Sequence, residues 1–177
     1  MRKLKLIILS LLLVPALATA HGPSRQKVVE EIQVNASPDK VWAIISDFCS
    51  IKDWHPNINS CIADKGSEIE SIRTIELANG EKINEKLFKL DNESMRMQYA
   101  MQLEKGRVVP GFPVATHGAT ITVSESDGGS TVQWKGAFYR SFPGQQPPPE
   151  LSDAACIEAV STLYKSGLEN IKALAEK

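Results

Sequence analysis

The sequence is poor in the residues that most metal sites and nucleophilic active sites need. It has three histidines and three cysteines, spread along the chain without a metal-ligand spacing. It shows no Ser-His-Asp arrangement, phosphate-binding loop or paired-carboxylate signature. His21 alone offers too few ligands for a tight metal site. We therefore predict no metal, no cofactor and no catalytic set.

Basic charge and long apolar runs are also scarce. The chain carries 20 lysines and arginines against 21 acidic residues, with no basic stripe along the sequence, so nucleic acid is not an expected partner. Only the N-terminus has an extended apolar run, Leu6 to Leu17, which is shorter than the ~20 residues of a spanning helix. No membrane association is therefore expected once that segment is removed.

Residues 1–20 have the pattern of a secretory signal peptide. Arg2, Lys3 and Lys5 precede the apolar run, and Ala18-Thr19-Ala20 supplies the small residues of a cleavage site. We expect cleavage after Ala20, a periplasmic location, and one domain over residues 21–177. An uncleaved membrane anchor is the alternative.

Three cysteines in an exported protein leave one unpaired after any single disulfide. Cys49 and Cys61 flank a compact loop and are the favoured pair, although a sequence cannot test the Cα spacing that a disulfide requires. Cys156 is interpreted as a small buried apolar residue.

The strongest pattern is an amphipathic helix from about Ser152 to Glu176. Gly167 lies inside its apolar stripe, where glycine costs about 1 kcal/mol against alanine, so we expect another element to approach closely there. Ser152 suits the N-cap. The apolar stripe repeats at steps of three and four and consists of Ile157, Val160, Tyr164, Leu168, Ile171 and Leu174.

Most of the remaining chain is predicted as strand, which gives an α+β domain with one sheet curled around the long helix. Ser37 and Pro38 begin a short helix, and Pro56 ends a second one. Asn79-Gly80 predicts a two-residue hairpin turn. The predicted strands are Val28–Val34, Ser60–Lys65, Glu70–Leu77, Lys82–Leu90, Ser94–Leu103, Ala119–Glu125 and Thr131–Arg140.

Alternation along these strands sorts the side chains into an inner and an outer face. The hairpin register places Glu85 on the inner face with Ile72, and a three-residue turn after it would place Tyr99 opposite Glu85. Either Glu85 is a satisfied core residue, or Glu85 and Tyr99 are the polar groups of an apolar cavity. The predicted pocket residues are Trp54, Glu85, Met97, Tyr99, Met101, Trp134, Phe138 and Tyr164.

The order of elements resembles the START-like, or polyketide cyclase/dehydrase-like (SRPBCC), superfamily. The residues that carry the resemblance are Ser37-Pro38-x-x-Val41-Trp42, Ile45-Ser46-Asp47-Phe48, Trp54-His55-Pro56 and Glu85-Lys86-Leu87. The resemblance implies a helix-grip fold, in which the helix crosses a curved sheet over an apolar cavity and two loops act as a gate.

A narrower resemblance is to the MxaD-type accessory proteins of bacterial methanol oxidation. It is carried by the leader followed by His21-Gly22-Pro23, by Trp54-His55-Pro56 and by Gly111-Phe112-Pro113. It implies a non-catalytic helper of methanol dehydrogenase and its cytochrome electron acceptor. The alternative is a cyclase-like enzyme, or a carrier of a small apolar molecule, that uses a Glu85/Tyr99 pocket.

Two proline-rich loops, Val108–Gly118 and Phe142–Pro149, are expected next to the cavity mouth. Stiff loops can form a partner surface with little ordering cost on binding. His55 is interpreted mainly as a cap at a helix–strand junction, with a pocket-mouth contact as the alternative. The expected gate or partner residues are Phe112, His117, Phe142 and Pro143.

Overall fold

The computed structural model describes residues 22–104 and 106–177. The predicted signal peptide, its cleavage site and His21 lie outside these residues. Within them, no helix is both long and apolar enough to span a membrane.

One seven-stranded antiparallel sheet forms most of the domain. The strands are β1 Gln26–Val34, β2 Ile58–Ala63, β3 Ile72–Leu77, β4 Lys82–Asp91, β5 Arg96–Gln102, β6 Val114–Ser126 and β7 Gly129–Arg140. They lie in the order β1-β7-β6-β5-β4-β3-β2, so the sheet is a meander that β1 extends beside β7.

Three helices accompany the sheet. Helix α1 is Pro38–Ile45, α2 is Ile51–Trp54 and α3 is Asp153–Ala175. The predicted N-caps are confirmed, because the Ser37 side chain accepts from the Lys40 backbone N–H and the Ser152 side chain accepts from that of Ala155. A short 3-10 helix, Pro149–Leu151, precedes α3.

Helix α3 packs across the face of the sheet that we call the inner face. Four residues of the predicted stripe are buried, whereas Ile157 is exposed and Leu174 is partly buried. The buried residues of the helix are Cys156, Val160, Tyr164, Gly167, Leu168, Ile171 and Ala175. The α+β helix-grip architecture predicted from the sequence is confirmed.

Other elements approach helix α3 closely at Gly167. A Cβ atom there would lie 2.8 Å from carbons of both His55 and Trp134 and 3.1 Å from Trp54. The missing side chain therefore lets α2 and β7 contact the α3 backbone, which explains a glycine in the middle of a helix.

A disulfide joins Cys49, two residues before α2, to Cys61 on β2, with their Cα atoms 5.4 Å apart. This is the pair that the sequence favours. Cys156 is free and buried, and its thiol donates to the backbone oxygen of Pro113 at 3.0 Å. Burial raises the pKa of this thiol, in keeping with a structural role.

The β3–β4 hairpin differs from the predicted register by one residue. Backbone bonding pairs Leu77 with Glu81, so the loop has three residues and ends at Gly80 with φ 85°. Arg73 therefore pairs with Glu85, and Ile72 is exposed on the outer face. The prediction that Ile72 shares the inner face with Glu85 is wrong, because a one-residue slip moves every side chain of a strand to the other face.

Candidate functional site

A buried ion pair lies in the interior, between the disulfide-linked segment and β4. The Arg73 Nε atom donates to Glu85 Oε2 at 2.8 Å, and Arg73 Nη2 lies 2.6 Å from the same oxygen. The guanidinium also donates to the Phe48 backbone oxygen and lies over the rings of Phe48 and Tyr99. Glu85 is thus paired with a cation and is not a free acid or base.

An aromatic stack continues from this ion pair toward α3. The Tyr99 hydroxyl accepts a 3.0 Å hydrogen bond from Trp134 Nε1. The Trp134 ring stacks on Tyr164, with centroids 4.3 Å apart and planes 9° apart. Tyr99 pairs with Leu87, because the turn between Asp91 and Arg96 has four residues and a bulge at Phe88 then shifts the register by one. The prediction that Tyr99 lies opposite Glu85 is therefore wrong.

His117 is buried on β6 at the far end of this stack. Its Nε2 atom is 2.7 Å from the Tyr164 hydroxyl, and a methyl group at Gly136 would collide with that hydroxyl. The Phe112 ring packs edge-on against the imidazole, with centroids 5.6 Å apart. Burial alone lowers the pKa of His117 to about 4, so the ring is neutral at pH 7.

The Nδ1 atom of His117 is buried and has no hydrogen-bond partner among the described residues. If Nε2–H donated to Tyr164, both Nδ1 and the hydroxyl proton would lack a partner. If the hydroxyl donates to Nε2, only the Nδ1–H group is unsatisfied. The second arrangement costs less, so the geometry favours an Nδ1–H donor without an acceptor.

A cleft of about 310 Å³ opens next to Phe112, and we call it the mouth cleft. The loop that carries Phe112, residues 106–113, is tied to the β3–β4 hairpin by Asn79 Nδ2, which donates to the Pro110 oxygen at 2.8 Å. The cleft is lined by Asn57, Leu77, Ala78, Asn79, Gly111, Phe112, Ala159, Thr162 and Leu163. Phe112 therefore separates an open apolar cleft from the His117 imidazole.

All eight predicted pocket residues are buried in this one interior. The four predicted gate and partner residues differ in how far they are exposed to solvent. Phe142 is half-buried and Pro143 is exposed, whereas Phe112 is 5% and His117 3% exposed. Phe112 therefore cannot be an exposed partner contact as the sequence interpretation assumed, because its ring faces the interior. His117 is likewise a strand residue and not an exposed loop residue.

Arg73 was missed by sequence reasoning, although a signal was present. It alternates with Ser71, Ile75 and Leu77, all of which are buried. The wrong turn length moved this set to the outer face. His55 has the predicted junction role: its Nδ1 accepts from the Asn57 backbone N–H, and its Nε2 lies 2.9 Å from the Leu163 oxygen.

Comparison with known proteins places the chain in a family. The family model described as polyketide cyclase/dehydrase and lipid transport matches residues 25–176. The chain belongs to this family. No curated protein matches the chain closely enough to count as a relative.

Members of the polyketide cyclase/dehydrase and lipid transport family share this fold, and similar solved structures agree with it. The protein XoxI from Bacillus cereus is 25% identical, with a TM-score of 0.67, over 86% of this chain and 95% of that one. An uncharacterised protein from Bacillus thuringiensis is also 25% identical with a TM-score of 0.67, over 87% and 100%. A protein from Nitrosospira multiformis, 23% identical with a TM-score of 0.65 over 85% and 96%, has the same fold.

The family description and the buried interior are consistent with ligand binding. Across residues 22–104 and 106–177, no group of three or more His, Cys, Asp or Glu side chains is placed to hold a metal ion. The buried polar groups of the aromatic stack include the neutral imidazole of His117 and the hydroxyls of Tyr99 and Tyr164.

Proposed function

We propose that this protein binds a neutral, mainly apolar small molecule that carries an acceptor oxygen such as a carbonyl. The observation that carries the proposal is the unpartnered, buried Nδ1 atom of His117 beneath Phe112. A buried donor without an acceptor costs about 1–3 kcal/mol, and a ligand oxygen would recover that cost.

The proposed route of entry is the mouth cleft. Phe112 fills the passage between the cleft and His117, so its side chain must rotate away before a ligand can reach the imidazole. Gly111 precedes it with φ 78°, a backbone conformation that glycine adopts without strain. The Trp134 and Tyr164 rings, together with the methionines of β5, would pack against the apolar body of the ligand.

A neutral ligand suits the electrostatics of this region. The pKa of His117 is lowered to about 4 and that of Tyr164 is raised, in both cases mainly by burial. Neither group can therefore supply a compensating charge at pH 7. Glu85 is neutralised by Arg73, which favours a binding protein over an enzyme that uses Glu85 as acid or base.

The solvatochromic ketone 6-propionyl-2-dimethylaminonaphthalene and its propyl analogue, which lacks the carbonyl, test this proposal. We expect the ketone to bind the wild type about 3–10 times more tightly than the analogue, the usual worth of one hydrogen bond. In His117→Leu/Tyr164→Phe, which removes the polar pair together, this preference should disappear. Fluorescence titration and stopped-flow binding measure both quantities.

Phe112→Ala is expected to raise the association rate of both probes, because it widens the passage. Thr162→Ala, on the exposed rim of the mouth cleft, is the matched control and should leave the rates unchanged. If the ketone preference persists in the double variant, then His117 is not the group that recognises the ligand.

We further propose, on the resemblance to MxaD-type proteins, that the protein is exported to the periplasm and assists methanol dehydrogenase at its contact with a cytochrome. The residues that carry this resemblance support the proposal: the leader followed by His21-Gly22-Pro23, Trp54-His55-Pro56 and Gly111-Phe112-Pro113. Next to the mouth cleft, an apolar groove of about 420 Å³ between residues 108–113 and the start of α3 offers a surface for such a contact. Val108, 41% exposed, lies there, and Phe142 and Pro143 follow the end of β7.

The accessory role predicts a change in electron transfer from purified methanol dehydrogenase to its cytochrome when the mature protein is added. Val108→Glu and Phe142→Ala should weaken the effect about ten-fold or more in half-maximal concentration, because apolar anchors carry most interface energy. Ile62→Glu, at an exposed site on the distant β2, is the control. A transfer rate that is unchanged across a wide range of protein concentration would remove this role and leave ligand binding untouched.

A further inference from the structure

The outer face of the sheet, opposite α3, carries a second concavity, which we call the outer trough. Its floor is one row of small residues across three strands: Ala137 on β7, Gly118 on β6 and Ala100 on β5. Lys27 pairs with Ala137 at one end of the row, and Lys86 pairs with Ala100 at the other. The concavity measures about 510 Å³, within the range of small-molecule sites.

A bulge in β4 supplies an apolar wall. Leu87 is fully buried, and Phe88, which the bulge leaves without a cross-strand partner, lies on the outer face, where it is 49% exposed. The Lys86 ammonium lies 5.6 Å from the centre of the Phe88 ring. A flat apolar group lying on the small-residue floor would therefore have an aromatic side chain beside it.

The cations that line the outer trough are unpaired. Nine lysines or arginines of the described residues form ion pairs. Arg25, Lys27 and Lys135 line the trough and are in none of these pairs, and neither is Arg96, which lies nearby on β5. Glu31 lies beside Arg96 and Lys135, and Asp91 pairs with Arg96 in the sheet, but neither carboxylate lines the trough. Three positive charges, those of Arg25, Lys27 and Lys135, thus face solvent around an apolar floor.

We propose that the outer trough is a binding site for a small organic anion with a flat apolar body. The anionic group, a carboxylate, sulfonate or phosphate monoester, would lie against Arg25, Lys27 and Lys135, and the apolar body would lie on Ala100, Gly118 and Ala137 beside Phe88. This site is separate from the neutral interior and does not depend on the proposed function, because the sheet lies between the two.

Two probes with one skeleton test the outer trough. N-phenyl-1-naphthylamine is neutral, and 1-anilinonaphthalene-8-sulfonate is the same molecule with a sulfonate added. We expect Gly118→Leu to weaken binding of the sulfonate at least ten-fold while leaving Tm unchanged, because a Cβ at Gly118 meets no atom within 4 Å and would extend into the trough. Lys27→Glu/Lys135→Glu should weaken binding of the sulfonate similarly and leave binding of the neutral probe unchanged.

Lys40→Glu/Lys65→Glu is the matched control. Both residues are exposed, neither is in an ion pair, and neither lines the trough. The control therefore changes the net charge of the protein by the same amount at another part of the surface. An equal loss of sulfonate binding in this control would show a general charge effect and overturn the proposal. Unchanged sulfonate binding in Gly118→Leu would overturn it as well. Phe112→Ala should change association of the ketone and its propyl analogue with the interior and leave sulfonate binding unchanged, which distinguishes the two sites.

Discussion

Replacement of Arg73 by methionine is expected to lower the free energy of unfolding by about 3–5 kcal/mol, the usual result of breaking a buried ion pair from one side. The Arg73 side chain is 2% exposed and that of Glu85 is 7% exposed. Without the guanidinium, Glu85 must either remain charged in the interior or take up a proton, and both cost free energy. The Phe48 backbone oxygen would lose its donor too.

Urea unfolding at pH 7 measures the loss of stability in Arg73→Met, and two further variants serve as comparisons. Arg73→Met/Glu85→Leu should recover most of the loss, because a well-packed apolar pair can replace a buried ion pair. Lys82→Met, which breaks an exposed pair with Glu76, should change stability by no more than about 1 kcal/mol. A loss in Arg73→Met as small as that in Lys82→Met would show that Glu85 is not held in a desolvated site.

Mild acid is expected to destabilise the protein strongly between pH 6.5 and pH 4. Burial lowers the pKa of both His55 and His117 to about 4, whereas in the unfolded chain both titrate near 6.5. Below pH 6.5 the unfolded state therefore binds protons that the folded state does not. The stability that each histidine contributes is complete above pH 6.5 and is lost as the pH falls toward 4, by up to about 3 kcal/mol per residue.

The pH range in which stability is lost distinguishes protonation of the two histidines from protonation of the carboxylates. The pKa of Asp91 is held well below its usual range, chiefly by the Ser94 backbone N–H, so its contribution is lost only below about pH 4. Unfolding free energies measured at pH 7 and 4.5 should differ by several kcal/mol in the wild type. The difference should be about half as large in His117→Leu/Tyr164→Phe. Equal stability of the wild type at the two pH values would mean that the histidines are not buried as described.

The parts of the fold that depend on local pattern could be predicted from the sequence. The caps Ser37 and Ser152, the long helix and the close approach at Gly167 each depend on a few adjacent or periodic residues. Strand pairing depends on turn length, and the two-residue turn predicted at Asn79-Gly80 is one residue too short. That residue decided whether Arg73 faced inward, and hence which group satisfies Glu85.

Other features depend on contacts between distant segments. His117 was assigned to a loop because Gly118 follows it, yet extension of β6 to Val114 gives it the same inward orientation as Ala119 and Ile121. The outer cations were not recognised as a cluster because Lys27, Arg96 and Lys135 come from three different strands. Only the sheet order β1-β7-β6-β5 brings them to one face.

The most direct test of ligand recognition by His117 is nitrogen-15 NMR of its imidazole, with and without 6-propionyl-2-dimethylaminonaphthalene. We predict a neutral ring at pH 7 that is protonated on Nδ1, with Nε2 accepting from Tyr164. Addition of the ketone should shift the Nδ1 resonance and slow exchange of its proton, because the carbonyl oxygen becomes the missing acceptor. A ring protonated on Nε2, or an Nδ1 resonance unchanged at saturating ketone, would contradict ligand recognition by His117.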